Sequence, residues 1–251
     1  MFDENVKTDV HLKVSSGEKP SNTLYWTENC ALGGDVVLPE GVTSINSHTF
    51  SRSNINSIKI PESVTSIEPR AFWGCGNLTT INLPKKLTRI PNSVFANCVK
   101  LKKITIPNSV NEIGESAFSS AGLESITIPE NVTEIGVQAF ATSKLKEVIF
   151  LTKQLVNAER SGYNSSFWSA KNLEYVSFPN GFKVISTSSL KANFDLSQST
   201  KYSAETMVSW FNAFADLTGS ESFTFIVGKV NLDKLTDEQK NIALNKNVIL
   251  K

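Results

Sequence analysis

Imidazole and thiol are scarce in this chain: two histidines, His11 and His48, and three cysteines, Cys30, Cys75 and Cys98, among 251 residues. The histidines stand far apart, and no Cys/His cluster has the spacing of a metal site. No phosphate-binding loop, nucleophile elbow or dinucleotide fingerprint occurs, and Gly33-Gly34 is a lone turn signal. The carboxylates are scattered over turns, with nothing to single out two of them as an acid/base pair. The chain therefore reads as a non-enzyme with no cofactor and no metal. Cys75 and Cys98 occupy equivalent places 23 residues apart, where a bridge is geometrically conceivable. An odd, small number of cysteines argues against a disulfide framework, and three free thiols are expected. The chemistry left is recognition. Glu147, Ile149 and Tyr175, with Arg160, Tyr163 and Trp168 nearby, put a carboxylate, an isoleucine, an arginine and large aromatics at one end of a surface that is otherwise serine, threonine and lysine. Aromatics with arginine are the usual make-up of an interface hot spot.

What must position those residues is a repeat. Pro39, Pro61, Pro84, Pro107 and Pro129 follow one another at intervals of 22, 23, 23 and 22 residues. Eleven residues after each comes Phe50, Phe72, Phe95, Phe118 or Phe140. A fixed period in this range is the mark of a solenoid, in which each unit buries its apolar face against its neighbours. The unit is P-x-x-V-T-x-I-x-x-x-A-F-x-x-C-x-x-L-x-x-I-x-I. L-x-x-I-x-I alternates as a half-buried strand does, and the proline after it ends the strand. V-T-x-I predicts a second short strand, and A-F-x-x-C a tight turn or short helical piece. Phenylalanine should fill the centre of each coil, in ladders at about the 4.8 Å strand spacing.

The third and fifth positions of L-x-x-I-x-I point outward onto the expected concave face. One row is Ser57, Thr80, Lys103, Ser125, Glu147, Tyr175; the other is Lys59, Asn82, Thr105, Thr127, Ile149, Ser177. The sixth repeat is irregular. Leu151 replaces the proline and Phe167 follows 16 residues later, so an insertion falls within 151–167. The fold expected is a curved, β-rich (α+β) solenoid of about seven 22–23-residue coils over 36–198. An N-terminal cap over 1–35 and a C-terminal helix-strand cap over 199–251 complete it. In the latter, Met207, Val208, Phe211, Phe214, Ala215 and Leu217 predict one helix ending at Thr218-Gly219, and Thr236 with Gln239 predicts a capping box.

Net charge is +1, which gives no general attraction to nucleic acid or anionic lipid, and no apolar run approaches the length of a membrane span. The start, MFDENVKTDVHLKVSS, lacks a basic stretch followed by an apolar one, so it is not a signal peptide.

The unit resembles the BspA-like class of bacterial leucine-rich repeats. LESITIPENVTEIGVQAF (123–140) and LTTINLPKKLTRIPNSVFANC (78–98) carry the match, which covers roughly 36–198. The ending VNLDKLTDEQKNIALNKNVIL is similar to tails that follow such repeats in gut-bacterial surface proteins. The resemblance implies a secreted or cell-surface recognition or adhesion module, a monomer binding protein or glycan, host-derived in some relatives. The alternative is a structural spacer or display module with no ligand of its own. A cytoplasmic location stays open, since either the chain remains inside the cell or a signal was removed.

Overall fold

A computed structural model describes residues 13–14, 23–25, 33–156, 165–185 and 193–251. The repeat becomes stacked coils, each contributing to three walls. The first wall is built from L-x-x-I-x-I. Gly33–Val37, Asn54–Lys59 and Thr80–Ile81 form one parallel sheet, and Ser125–Ile128, Glu147–Phe150 and Tyr175–Ser177 form another. Equivalent residues pair: Ser125 with Glu147 and Tyr175, Thr127 with Ile149 and Ser177. The alternation sends Ile126, Val148 and Val176 into the core, where all are buried.

Between those sheets the expected strand at 101–106 is missing. Leu101 and Ile106 stay buried, while Ile104 between them is only partly buried and lines the open face. The hydrogen bonding is what fails: among the described residues, the amides of Lys103, Ile104, Thr105 and Ile106 donate to no neighbouring coil.

The second wall is V-T-x-I, as two-residue parallel strands: Ser44–Ile45 with Ser66–Ile67, then Arg89–Ile90, Glu112–Ile113 and Glu134–Ile135. Gln154–Val156 and Lys183–Ile185 pair likewise. Upstream, Thr23–Tyr25 joins this wall parallel to Ser44–Ile45, with Lys13–Val14 antiparallel outside it.

The A-F-x-x-C stretch forms the third wall, and it is neither helix nor strand. Residues two before and two after Phe50, Phe72, Phe95, Phe118 and Phe140 have positive φ, for example Ser116 at 53° and Ser120 at 56° around Phe118. Alternating ordinary and left-handed conformations turns every second N–H group toward the following coil, and the amides between them donate three residues back within their own coil, as Ser119 does to the Ser116 carbonyl. Phe50, Phe72, Phe95, Phe118 and Phe140 give their amides to the carbonyls of Ala71, Val94, Ala117, Ala139 and Ser166 at 2.7–3.1 Å. At the last coil the donors are met by side chains: Phe167 N–H by Ser165 Oγ (3.2 Å) and Ser169 N–H by Gln198 Oε1 (3.4 Å).

Inside these walls six phenylalanines stack. Neighbouring ring centroids from Phe50 to Phe167 lie 5.2–5.6 Å apart with interplanar angles of 16° or less. Phe140 and Phe167 are 27 residues apart and still stack at 5.2 Å. The coil therefore closes around the insertion, with Val156 N–H on Thr133 O before it and Gln138 N–H on Ser165 O after it.

The C-terminal segment packs on the last coil. Helix α1 (Ala204–Ala213) starts at Ser203, whose hydroxyl accepts the Thr206 amide, and buries Met207, Trp210 and Phe211. The helix stops earlier than the apolar pattern suggested. Phe214 turns extended and bridges to Phe182, a pairing that a helical residue cannot make. The Trp210 indole N–H donates to the carbonyl of Val176 in the first wall. Asn193–Asp195, Phe223–Ile226 and Val248–Leu250 then form a further parallel sheet. Helices α2 (Lys229–Leu232) and α3 (Asp237–Leu244) connect its last two strands, and Thr236 and Gln239 form the expected capping box.

Candidate functional site

The first wall carries a groove of about 520 Å³ centred where the ladder is interrupted. Its lining includes Thr79, Thr80, Thr105, Ser125 and Thr127, all hydroxyl-bearing, the cation Lys103, the carboxylate Glu147, and the apolar Ile104, Ile149 and Leu151. Parallel pairing without bulges keeps Ser125, Glu147 and Tyr175 in one row and Thr127, Ile149 and Ser177 in the next.

Charges beside the groove neutralise one another. Lys102 holds Glu124 at 3.1 Å and pulls its carboxyl below the usual carboxylate range. Lys201 pairs with Glu174 at 3.2 Å. Lys103 and Glu147 form no ion pair among the described residues. The groove thus presents mainly hydroxyls, with Lys103 and Glu147 as charged side chains outside any ion pair among the described residues.

Of the residues singled out in the sequence, the structure brings Glu147, Ile149 and Tyr175 together on adjacent strands. Glu147 and Ile149 are half-buried and Tyr175 is 45% exposed. Trp168 stands on the third wall, at the place Trp73 has in its own coil; its carbonyl accepts the Thr142 amide. Trp73 there lies under the Arg52 guanidinium, 4.4 Å from the ring centroid. Arg160, Tyr163 and Cys30 lie outside the described residues. The sequence reading missed the middle of the groove, because Lys103 and Thr105 look like ordinary outward positions and a broken ladder leaves no mark in the apolar pattern. Leu151, 45% exposed, did leave one: it stands where the repeat otherwise has proline.

Cys75 and Cys98 are both buried and both free. Each thiol donates to a carbonyl of the preceding coil, Cys75 to Phe50 (2.9 Å) and Cys98 to Phe72 (3.2 Å). The neighbouring Cys75 sulfur and burial push the Cys98 thiol well above its ordinary value. Among the described residues no group of three His, Cys, Asp or Glu is disposed to hold a metal ion, and no helix is long and apolar enough to cross a membrane.

Residues 25–146 match the family model of the BspA type leucine-rich repeat region in six copies. No curated protein matches the chain. Among solved structures, a leucine-rich repeat protein of T. pallidum is 21% identical, with 91% of this chain and 89% of that one covered at a TM-score of 0.53. A leucine-rich repeat protein from Bacteroides ovatus is 20% identical, with 96% and 75% covered and a TM-score of 0.48. The pneumococcal vaccine antigen PcpA is 16% identical, with 91% and 94% covered and a TM-score of 0.39. The likeness to the T. pallidum protein is one of fold.

Proposed function

Since its repeats belong to the BspA-type leucine-rich repeats, we propose that this chain is a non-catalytic recognition or adhesion module at a bacterial cell surface, binding a protein or glycan through the solenoid. The observation that carries the reading is the placement of Ile149 and Tyr175. They stand on neighbouring strands of a wall whose outward positions are mostly hydroxyl-bearing, Tyr175 exposed and Ile149 half-buried. Exposed apolar and aromatic groups on a rigid polar sheet are the composition of a binding surface, in which a few such residues carry most of the affinity. Arg160 and Tyr163 in the insertion belong to the same proposed contact, and Trp168 to its border.

The test is a protein and glycan binding array probed with the purified chain, followed by the triple variant Ile149→Ala, Arg160→Ala, Tyr175→Ala. Binding should fall by about tenfold or more, while the melting temperature stays within a few degrees, as expected for substitutions that leave the buried core untouched. A ligand held equally well by the triple variant places the contact elsewhere. No ligand on a broad array makes the chain a spacer or display module instead.

A further inference from the structure

Asn180-Gly181 is the only Asn-Gly step in the chain. Such a step can rewrite its own backbone, because a glycine amide nitrogen, unshielded by a side chain, can attack the side-chain carbonyl of the preceding asparagine. Both residues are exposed, and a Cβ built on Gly181 would meet nothing within 4 Å. The step sits in a type II β-turn. Phe182 N–H donates to Pro179 O at 3.2 Å, and Gly181 has φ 84° after an asparagine of ordinary φ.

The same turn clasps the C-terminal segment. The Gly181 and Phe182 amides both donate to the carbonyl of Ala213, the last residue of α1, at 2.7 and 3.1 Å. The Ala215 amide donates back to the Phe182 carbonyl at 2.8 Å, and Phe182 and Phe214 form a parallel bridge. Closing a ring onto the Asn180 side chain requires rotation about the Asn180 Cα–C bond. That rotation swings the Gly181 nitrogen out of its bond to Ala213. Docking of the segment thus holds the reacting atom back, and the reaction belongs to the locally opened state.

We propose that Asn180 is a site of spontaneous deamidation gated by the docking of the C-terminal segment, and that conversion keeps the segment from docking again. In the opened state the Gly181 nitrogen bonds to Asn180 Cγ. Its proton leaves with the side-chain nitrogen as ammonia, and a five-membered imide remains. Water, the only co-reactant, then opens the imide. Opening at Cγ leaves an aspartate in an unchanged chain. Opening at the backbone carbonyl breaks the original peptide bond and leaves an isoaspartate, so that the chain runs through the β-carbon. The extra methylene in a four-residue turn displaces the two amides that face Ala213.

The test incubates the parent chain in mildly alkaline buffer at several urea concentrations. Mass spectrometry then follows the tryptic peptide 172–183, which carries Asn180, and isoaspartyl methyltransferase counts the isoaspartate. Within this peptide conversion should be confined to Asn180, and it should run at least about tenfold slower in the folded chain than in denaturing urea. Below the unfolding midpoint its rate should rise in step with hydrogen exchange of the Gly181 amide. The separated isoaspartate form should melt below the parent. Asn180→Gln cannot close a five-membered ring and changes an exposed side chain, so it should melt like the parent before and after the same incubation. The proposal is overturned if Asn180 converts equally fast folded and unfolded, if Gly181 exchange rises with no change in conversion, or if the isoaspartate form melts like the parent.

Discussion

Replacing Phe95 by alanine tests the feature on which every wall depends. Phe95 is 1% exposed, and its ring stacks on Phe72 at 5.6 Å and on Phe118 at 5.5 Å. Truncating a buried phenylalanine to alanine costs roughly 3–5 kcal/mol through lost transfer energy and the cavity left behind. Stacked pairs contribute about 0.5–1.5 kcal/mol each beyond area, and this site has two of them, so the upper half of the range applies: about 4–5 kcal/mol. Collapse of neighbouring coils into the gap is restrained, because the Phe72 amide on Val94 O and the Phe95 amide on Ala117 O tie this coil to its neighbours on both sides. Urea unfolding followed by far-UV circular dichroism should show the midpoint falling by roughly 1.5–2.5 M, taking an m-value of about 2–3 kcal/mol/M. Phe95→Leu keeps most of the volume and loses the rings, so its cost should be about half. A Phe95→Ala protein within 1 kcal/mol of the parent would refute the phenylalanine column as the spine of the array. A lower m-value in the variant would mean that the array splits into separately unfolding halves at that coil.

Removing 199–251 should cause aggregation, since Phe178, Phe182 and the carbonyl of Val176 would lose Trp210, Phe214 and the rest of their cover; a monomeric truncation that melts like the parent would make the segment an independent domain. Thiol titration in denaturant without reductant should count three, and in the folded protein Cys75 and Cys98 should stay unmodified at pH 8, because both are buried and the Cys98 thiol is held well above its ordinary value; a denatured count of one would establish a bridge. Gly114→Ala should destabilise by roughly 1–3 kcal/mol, because its Cβ would lie 2.3 Å from Asn92 Oδ1 and 2.8 Å from Asn92 N of the preceding coil; an unchanged melting temperature would mean the second wall yields freely there.

The repeat was legible because stacking makes each residue type answer to the same neighbours in every coil. A proline that stops a strand and a phenylalanine that must stack can be read from spacing alone, and the insertion before Phe167 shows up as a shift in that spacing. The third wall was harder to read. Its left-handed positions are filled by histidine, arginine, serine, asparagine, glutamine and threonine, for example His48, Arg70, Ser93, Asn97, Gln138 and Thr142, with glycine only at Gly74. A glycine ladder would have announced them. These residues tolerate positive φ less easily than glycine, and the cost is offset because Arg70, Ser93, Asn97, Gln138 and Thr142 each aim a backbone amide at the next coil. The end of α1 was misread for a related reason: Phe214 and Leu217 fit the helical stripe, yet both are buried just as well after the chain turns extended, so apolar spacing could not tell the two apart.

The break in the first wall has the same physical origin as the candidate site. Apolar periodicity governs only the inward residues, and in the interrupted segment Leu101 and Ile106 satisfy the core as well as their counterparts do. Whether the backbone between them joins the ladder is decided by hydrogen bonds that cost little to exchange with water at an open face. Packing therefore fixes the column of phenylalanines while leaving the outward surface free to vary from coil to coil. One coil earlier, Asn82 uses that freedom to satisfy the Ile60 N–H and carbonyl with its own side-chain amide, at 3.0 and 2.9 Å. At 103–106 the freedom leaves amides open beside Lys103. The outward residues are thus the ones the fold does not constrain, which is why the core of this protein can be derived from its repeat and the proposed contact face has to be read from the structure.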